Sequence, residues 1–530
     1  WGPESTLQKI NGMFAFSLWD RKRKLLHFAR DRMGKKPLYF GWAGQKTLLF
    51  ASELKAFHKS GCFEKEIDPN ALKQFLHFGY VPAPLCIFKN IISLPPGCWA
   101  TLELPSLTAG QDLSAFIQTY WDRNQIVEQT HLSFETLKPS EMENQLENLL
   151  KDAVSSRLAS DVPLGSFLSG GLDSSLVTAM AAEKSRTTLD TFTIGFEENQ
   201  YDEASHANEV ANYIGTRHHE HTLTAKEALD IIPILPEMYD EPFADPSQIP
   251  TYLISKFAKK HVTVALTGDG GDEVFGGYQR YLSGPGLWRK LSLIPAFARP
   301  LLARIIGKIP PQLLKSFQSD QPEFEDRLLK FLRAMDSQDF EAFYKNLLYQ
   351  WSSTNELMPE ADMIQIPLNT EYSCITDFKN VEKMMFLDSL HYLPNNILVK
   401  LDRASMAVSL EGRSPLLDYR IFEFMWKLPP EMRVDKTQGK ILMRRILEKY
   451  LPKTLTDRPK QGFSVPIRQW LRGPLRDWAG DTLSHDDTFL DQSVIDRTFK
   501  NFESGNDADF SKIWTILVYK NWHKKWIEKN

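Results

Sequence analysis

The 530-residue sequence lacks most features of secreted and membrane-spanning proteins. Its four cysteines show no paired spacing, which argues against a disulfide framework and predicts a reducing, cytoplasmic environment. Its most apolar stretch, residues 287–314, is interrupted by basic residues and prolines, so it is too broken to span a bilayer and is predicted to form helices against a core. The net charge of −4 gives no electrostatic case for nucleic acid or an acidic membrane as a partner.

Length and composition predict a globular protein of several domains. A length of 530 residues suggests roughly two to four domains. The chain begins at Trp1, with neither a methionine nor a signal-peptide pattern, and its first segment reads as a strand from inside a domain. We therefore expect a fragment whose N-terminal part is missing.

The first part of the chain, to about residue 122, reads as short strands and turns. Residues 11–20 and 25–30 are apolar strands joined by a basic turn, and further strands are predicted at 37–42 and 47–51. Residues 129–140 are polar and lack periodicity, so the linker to the next domain is predicted there.

From residue 141 onward, helices alternate with strands. This order predicts an α/β fold with a doubly wound, mostly parallel sheet, followed after about residue 278 by a chiefly helical part. In such sheets, ligands bind at the carboxyl ends of the strands. Two glycine-rich loops are predicted to emerge at such ends.

The first of these loops lies in residues 167–175, which read Phe-Leu-Ser-Gly-Gly-Leu-Asp-Ser-Ser. Small residues let backbone N–H groups approach phosphate oxygens, and the helix that follows points its positive end at the same place. The loop lacks the lysine of a kinase-type P-loop, and Asp173 suits a ligand of the Mg²⁺ that accompanies phosphates. An ordinary strand-to-helix turn is the alternative, but the whole run is far more specific than a glycine pair.

The second loop, residues 267–278, places Asp269, Asp272 and Glu273 among glycines. Three carboxylates near a triphosphate would repel it unless a metal intervened, so at least one should coordinate Mg²⁺. The alternative is a glycine-rich turn whose acids cap the next helix.

The residues of these loops resemble a known family. The first loop looks like the PP-motif of the ATP pyrophosphatases, and residues 160–175 are similar to the glutamine-hydrolysing (class B) asparagine synthetases, a likeness that extends over nearly the whole chain. It implies a partial N-terminal-nucleophile (Ntn) glutaminase domain in residues 1–128. Residues 141–530 would form an ATP-pyrophosphatase domain, like the adenine nucleotide α-hydrolases. The implied reaction is ATP- and Mg²⁺-dependent amidation of L-aspartate through β-aspartyl-AMP, with ammonia from L-glutamine, and the implied assembly is a homodimer.

The resemblance also implies roles for individual residues. Asp173 and Asp272 would hold the magnesium–pyrophosphate, and Asp269 matches an acidic position linked to adenylate formation and to deprotonating ammonia. That position is glutamate in some members, so the shorter aspartate leaves the base assignment open. Contacts to ATP are expected from Leu168, Ser169, Gly170, Gly171, Asp173, Ser174, Ser175, Ile194, Thr267 and Gly268. Plain sheet core is an equally good interpretation of the Leu168 and Ile194 side chains.

Lys440 follows Gly439 at the start of a predicted helix. A cation at the positive end of a helix is unfavourable by a few tenths to about 1 kcal/mol unless an anion compensates. By resemblance, this lysine would stabilise negative charge at the adenylation transition state. The alternative is a frayed surface lysine.

Two further charged sets have open interpretations. The first lies in residues 395–418, which match family segments. Either buried salt bridges or aspartate recognition would explain its charges. Its members are Lys400, Asp402, Arg403, Glu411, Arg413 and Asp418. Residues 461–472 match the family too, without a clear chemical role. The second set, His218, His219 and His221, could suggest zinc, but strand-like alternation without a nearby cysteine favours packing.

Residues 28–37 resemble the later part of the family's glutaminase domain. Arg30 and Asp31 match its Arg-Asp pair, and Asp31 would bind the α-ammonium of glutamine. The family's nucleophile is an N-terminal cysteine, whereas this chain begins with tryptophan. We therefore expect this polypeptide to use free ammonia and not to hydrolyse glutamine.

Three alternatives remain open at this point. A protein of the same build could amidate another carboxylate, in a surface-polysaccharide or antibiotic pathway, or form a β-lactam ring by cyclisation. A nucleotide-binding protein with a decayed site would lack catalysis. The true gene could also start upstream of Trp1.

Overall fold

The computed structural model describes residues 1–44, 46–131, 138–196, 204–306, 328, 330–332, 334–351, 353–359, 378–456, 465–485 and 487–528. The front region (residues 1–131) contains two antiparallel sheets, of order β1-β2-β6-β7 and β4-β3-β5. Their strands are β1 (Ala15–Asp20), β2 (Leu25–Arg30), β3 (Tyr39–Ala43), β4 (Thr47–Ala51), β5 (Ile91–Ser93), β6 (Cys98–Glu103) and β7 (Ile117–Thr119).

The predicted hairpin is confirmed, because Ala15 pairs with Arg30 and Asp20 with Leu25 across β1 and β2. The prediction that the chain opens on a strand is wrong. Residues Pro3–Lys9 form a helix that has proline in its first turn and buries Leu7. The other helices of this region are Lys55–His58, Pro69–Phe78 and Arg123–His131.

The second region contains a five-stranded parallel sheet of order β10-β9-β8-β11-β12. Its strands are β8 (Leu164–Phe167), β9 (Asp190–Phe196), β10 (Arg217–Leu223), β11 (Val264–Leu266) and β12 (Glu411–Arg413). The predicted doubly wound sheet is therefore confirmed. The edge strand β12 was not predicted, since its three residues lie in a charged segment without strand periodicity.

Helices cover both faces of this sheet. Successive residues of a strand point to opposite faces, and in β11 Ala265 and Leu266 enter two different hydrophobic clusters. The helices of the second region are Pro139–Leu158, Leu172–Lys184, Ala204–Ile214, Ala225–Leu229, Leu235–Tyr239, Gln248–Ala258, Gly271–Phe275, Gln279–Leu291, Arg299–Ile306, Phe340–Leu348, Asn380–Leu387, Asp388–Ile397, Leu398–Met406, Tyr419–Lys427, Ile441–Leu447, Lys453–Thr456, Ile467–Arg472, Arg476–Leu483, Gln492–Glu503 and Phe510–His523. Among the described residues, none of the helices has the length and apolar character needed to cross a bilayer.

Buried ion pairs join the front region to the second region. Lys36 lies 2.7 Å from Asp402, Arg403 lies 3.4 Å from Glu53, and Lys55 lies 3.8 Å from Asp240, which also lies 3.6 Å from Arg403 within the second region. The Arg403 side chain is 2 % exposed, and that of Asp240 is fully buried. For Asp402 and Arg403, two residues of the charged segment 395–418, the structure therefore supports the salt-bridge interpretation. Their ion pairs with Lys36 and Glu53 link the two regions.

Replacing Arg403 with methionine should destabilise the contact between the regions. The buried carboxylate of Asp240 would lose the nearer of its two cations and keep only Lys55 at 3.8 Å, and breaking a buried ion pair typically costs about 3–5 kcal/mol. We expect a lower midpoint of urea unfolding, followed by tryptophan fluorescence. Arg497→Ala is the matched control, because its pair with Glu356 is exposed on both sides and should contribute about 0.2–1 kcal/mol. Equal midpoints for the two variants would contradict this account of the contact.

Candidate active site

The two glycine-rich loops lie side by side. Strand β8 pairs with β11 in parallel, so their carboxyl ends meet at one edge of the sheet. A Cβ on Gly268 would lie 2.8 Å from both the Cβ of Asp173 and the backbone nitrogen of Ser174, and a Cβ on Gly271 would lie 2.4 Å from Oδ1 of Asp173. The two loops touch because these positions lack side chains.

The first loop is held in shape by its own hydroxyl groups. Gly170 has a φ of +74°, a left-handed conformation that glycine adopts without strain. The backbone N–H of Ser169 donates to Oγ of Ser174 at 3.2 Å, and the N–H of Gly171 donates to Oγ of Ser169 at 3.3 Å. Asp173 then lies in the first turn of the helix Leu172–Lys184. The predicted loop-to-helix turn is thus present in the structure.

Lys440 connects the two loops. Its Nζ lies 2.5 Å from Oδ2 of Asp173 and 2.7 Å from Oδ1 of Asp272, and the side chain is 5 % exposed. Burial alone would lower the pKa of Lys440, but the carboxylates of Asp173 and Asp272 outweigh it and raise the pKa above its usual range. The interpretation as a frayed surface lysine is wrong, since this lysine is buried between two acids.

Close backbone packing brings Lys440 to this position. A Cβ on Gly439 would lie 1.9 Å from the carbonyl oxygen of Gly276, and a Cβ on Gly277 would lie 2.0 Å from Cε of Lys440. The backbone N–H of Lys440 donates to the carbonyl of Phe275 at 3.1 Å. The segment before the helix Ile441–Leu447 therefore rests directly on the end of the second loop.

The pair of Asp173 and Asp272 fits a Mg²⁺ that arrives with a nucleotide. An oxygen of each carboxylate lies within 2.7 Å of the same position, which the positively charged Nζ of Lys440 occupies. Magnesium in nucleotide sites is usually held by one or two carboxylates, with the remaining ligands from phosphates and water. Within the part of the chain that the structure describes, no group of three or more His, Cys, Asp or Glu side chains could hold a metal alone.

The three acids of the second loop have separate environments. Asp272 faces Lys440, whereas Glu273 is buried and accepts a hydrogen bond from the hydroxyl of Tyr278 at 2.5 Å. Burial, followed by the charge of Asp272, raises the pKa of Glu273 to about 7. Glu273 therefore points into the protein, whereas Asp272 points toward Lys440.

Asp269 interacts with a cation that sequence reasoning did not place here. Burial raises the pKa of Asp269, and the charge of Lys400 counteracts this effect. Lys400 donates to Oγ of Ser247 at 2.9 Å and lies 3.5 Å from Oδ2 of Asp245. Residues 245–247 gave no signal of their own, because a short Asp-Pro-Ser turn occurs in many proteins. Lys400 and Asp269 add a pair of opposite charges beside the two loops.

The residues predicted near adenine are part of the core. Leu168 and Ile194 are 1 % and 2 % exposed, and Leu168 N–H donates to the carbonyl of Phe192. The hydroxyl of Thr267 lies 2.9 Å from that of Ser414, and the hydroxyl of Ser175 is also buried. Side chains at these positions face inward, so contact with a nucleotide would come from backbone atoms, and their role stays a prediction.

Asp31 lies at a tight turn of the front region, where it is 1 % exposed. A carboxylate can accept about four hydrogen bonds, and this one accepts four from backbone amides. The donors are the N–H groups of Phe14, Met33, Lys35 and Lys36. This carboxylate shapes the turn, and its binding of glutamine stays a prediction.

The histidine-rich strand β10 is explained by packing. His219 lies 2.8 Å from Oδ1 of Asp190, and its ring stacks on Phe192 at 5.1 Å between centroids. The packing interpretation is therefore supported over zinc. Residues 461–464 of the other segment that matched the family lie outside the described residues.

Comparisons with known proteins identify the families that the two regions match. Residues 145–524 match the asparagine synthase family, and residues 1–121 match a glutamine amidotransferase domain. The chain is 30% identical over 530 residues to asparagine synthetase [glutamine-hydrolyzing] 1 of Bacillus subtilis, covering 99% of this chain and 79% of that protein. It is 31% identical over 541 residues to a putative asparagine synthetase of Mycobacterium bovis, covering 100% and 78%. A third relative, a putative asparagine synthetase of Methanocaldococcus jannaschii, is 33% identical over 412 residues, covering 76% and 73%.

The fold, the paired loops and the two matched domains define the class. The chain is an enzyme, a carbon–nitrogen ligase related to glutamine-hydrolysing synthetases, and the expectation that this polypeptide does not itself hydrolyse glutamine stays a prediction. It belongs to the asparagine synthase family, whose members use ATP and amidate aspartate with glutamine as the nitrogen donor.

Gly277→Ala tests how closely Lys440 is packed at this site. The added Cβ would lie 2.0 Å from Cε of Lys440 and 2.1 Å from Oδ1 of Asp272, so one of them must move. Overpacking of this kind costs about 1–3 kcal/mol. We expect a lower urea midpoint and weaker ATP binding, measured by titration calorimetry.

Gly286→Ala is the matched control, since a Cβ there has no neighbour within 4 Å and the residue lies in the helix Gln279–Leu291. This control should leave ATP binding unchanged. If Gly277→Ala bound ATP as tightly as the control, the contact between the second loop and Lys440 would not matter for the site.

Proposed function

We propose that this protein forms L-asparagine from L-aspartate, ATP and ammonia through a β-aspartyl-AMP intermediate. The observation that carries the proposal is the position of Lys440 between Asp173 and Asp272, where the two loops meet. Two acids and one buried cation at the carboxyl ends of parallel strands suit a nucleotide's phosphates. The wide likeness to asparagine synthetases supports aspartate as the acceptor of the nitrogen.

Each charged residue of the cleft would have a distinct part in adenylation. Asp173 and Asp272 would hold Mg²⁺, which neutralises phosphate charge when bound. Lys440, already buried and charged, would stabilise the negative charge that develops as the β-carboxylate attacks the α-phosphorus. When Mg²⁺ takes its place between the two carboxylates, the Lys440 ammonium would be free to move from them to the phosphate oxygens.

Adenylation is chemically sensible because a carboxylate oxygen is a poor leaving group and AMP is a far better one. Asp269 would then accept a proton from the attacking ammonia. Because burial raises its pKa toward the working range, it is a better base than an exposed aspartate. Lys400 would keep Asp269 ionised, since its charge opposes the effect of burial.

The nitrogen would reach the adenylate from the side of the front region. A cavity lies where the two regions meet, and Arg30, Tyr39, Glu241 and Asn395 are among the residues that line it. Its walls belong to both regions, which places it on the side of the second region from which ammonia would come if the front region released it.

Aspartate-dependent release of pyrophosphate is the direct test of this function. With ATP, Mg²⁺, aspartate and ammonium, the protein should release pyrophosphate and form asparagine, and chelation of the metal should abolish both. Asp272→Asn should lower the rate strongly, whereas Asp230→Asn, at an exposed position, should not. A parallel reaction with glutamine in place of ammonium tests the nitrogen donor.

The outcomes separate the candidate functions. Pyrophosphate release with another acid, but not with aspartate, would assign a different acceptor to the same chemistry. No release with any acid, together with tight ATP binding, would indicate a nucleotide-binding protein without catalysis. Either result would contradict the proposal.

Lys440→Met should separate catalysis from folding. Removal of a preorganised charge from a transition state commonly costs about 10²–10³-fold in kcat, and methionine keeps the volume of the chain. Lys436→Met is the control, since Lys436 is exposed four residues earlier in the same segment. Rates of pyrophosphate release from both variants at saturating ATP provide the comparison, and equal rates would remove Lys440 from the mechanism.

A further inference from the structure

Three polar side chains share one face of a long helical stretch in the second region. The helices Asp388–Ile397 and Leu398–Met406 follow each other without a break. Tyr392, Asn396 and Lys400 recur along this stretch at intervals of four residues. Residues four apart lie on the same face of a helix, so these three side chains point in a common direction.

The two outer members of this face interact with the same acid, Asp245. Nζ of Lys400 lies 3.5 Å from Oδ2 of Asp245. Burial, followed by the charge of Asp245, raises the pKa of Tyr392 above its usual range, and the ring of Tyr392 lies 6.0 Å from that of Tyr278 at the end of the second loop. Asn396 lies between Tyr392 and Lys400 along the helix. The helical spacing therefore places its side chain in the same space, beside Asp245 and the second loop.

The side chain of Asn396 is buried and incompletely paired. Asn396 is 8 % exposed, and among the described residues its Oδ1 has no hydrogen-bond partner. The adjacent Asn395 points elsewhere and is satisfied, since it accepts from the N–H of Ala83 at 3.1 Å and donates to the carbonyl of His391 at 2.8 Å. Native proteins leave few buried polar atoms unpaired, so Oδ1 of Asn396 is expected to meet a donor that arrives with a ligand.

The charges around this oxygen suit a zwitterion. Asp245 and Lys400 have opposite charges and are both largely buried. A carboxylate of a ligand can bind to the ammonium of Lys400. An ammonium of the same ligand can bind to the carboxylate of Asp245 and donate to Oδ1 of Asn396. A carboxylate and an ammonium side by side are the head group of an α-amino acid.

The second loop connects this space with the candidate nucleotide site. Lys400 counteracts the effect of burial on the pKa of Asp269, and Lys440 contacts Asp272. Asp269 and Asp272 are only three residues apart in the loop. A short acceptor can therefore place its head group beside Lys400 and direct its reacting carboxylate toward the phosphates.

We propose that Asp245 and Asn396 select an acceptor with a free α-ammonium group, and that Lys400 binds the α-carboxylate of this acceptor. The inference rests on the proposed function, because it assigns the acceptor side of the same cleft. It names α-amino acids as the substrate class. A carboxylic acid without an ammonium group is rejected, because Asp245 and Oδ1 of Asn396 would then be buried without a donor.

Titration calorimetry of the whole chain with L-aspartate and with succinate tests the proposal. Succinate has the two carboxylates of aspartate and lacks the ammonium. The protein is first saturated with Mg²⁺ and α,β-methylene-ATP, which cannot be cleaved between its α- and β-phosphates. Aspartate should bind at least about tenfold more tightly than succinate, because hydrogen bonds that involve a charged group are among the stronger ones.

Asn396→Leu should remove most of this preference. Aspartate should bind about tenfold to hundredfold more weakly to this variant, whereas the affinity for succinate should not change. Asn396→Asp keeps an oxygen acceptor at the same position and should keep the preference. Asn501→Leu is the matched control, since Asn501 is exposed in the helix Gln492–Glu503, and it should bind both acids like the unmodified chain. An unchanged affinity for α,β-methylene-ATP in all variants would show that the cleft is folded.

The outcomes separate this inference from the proposed function. Equal binding of aspartate and succinate, or binding of neither, overturns the inference, and so does an Asn396→Leu variant that keeps the preference. These results leave the proposed function to the release of pyrophosphate, which is measured independently. A preference for aspartate that Asn396→Leu removes, in a protein that releases no pyrophosphate, would support the inference and contradict the proposed function.

Discussion

The cleft depends on one interaction, the contact of the buried Lys440 ammonium with Asp173 and Asp272. Two carboxylates from adjacent loops would repel each other without a positive charge between them. Lys440 supplies that charge. Its buried ammonium group is in turn stabilised by the two carboxylates that it contacts. The same three charges suit a site where a nucleotide brings its own metal and its own negative charge.

Glycines set the geometry of this contact. Gly268 and Gly271 let the two loops touch, and Gly277 and Gly439 let the lysine segment pack on the second loop. These glycines lie in two stretches of sequence that are far apart in the chain, and they meet the first loop only in the folded protein. Stability and function are therefore linked here, since any side chain at these positions would separate the charges.

Local patterns in the sequence predicted the parallel sheet and both loops, because alternating helices and strands and glycine-rich turns are short-range signals. They did not predict β12, whose pairing with β11 is a long-range contact, or the helix at the start of the chain. In the site, Asp173 and Lys440 were predicted, but Lys400 was assigned no partner. Its neighbours Asp245 and Ser247 lie more than a hundred residues away, and nothing in either segment points to the other.

The central claim is that the acceptor carboxylate attacks the α-phosphorus of ATP in this cleft. Aspartate labelled with ¹⁸O in its β-carboxylate tests this directly, with the AMP product analysed by mass spectrometry after reaction with ammonium. Adenylation predicts that one labelled oxygen appears in AMP. Unlabelled AMP, or label in inorganic phosphate or pyrophosphate, would mean that ATP is cleaved by another route and would contradict the account.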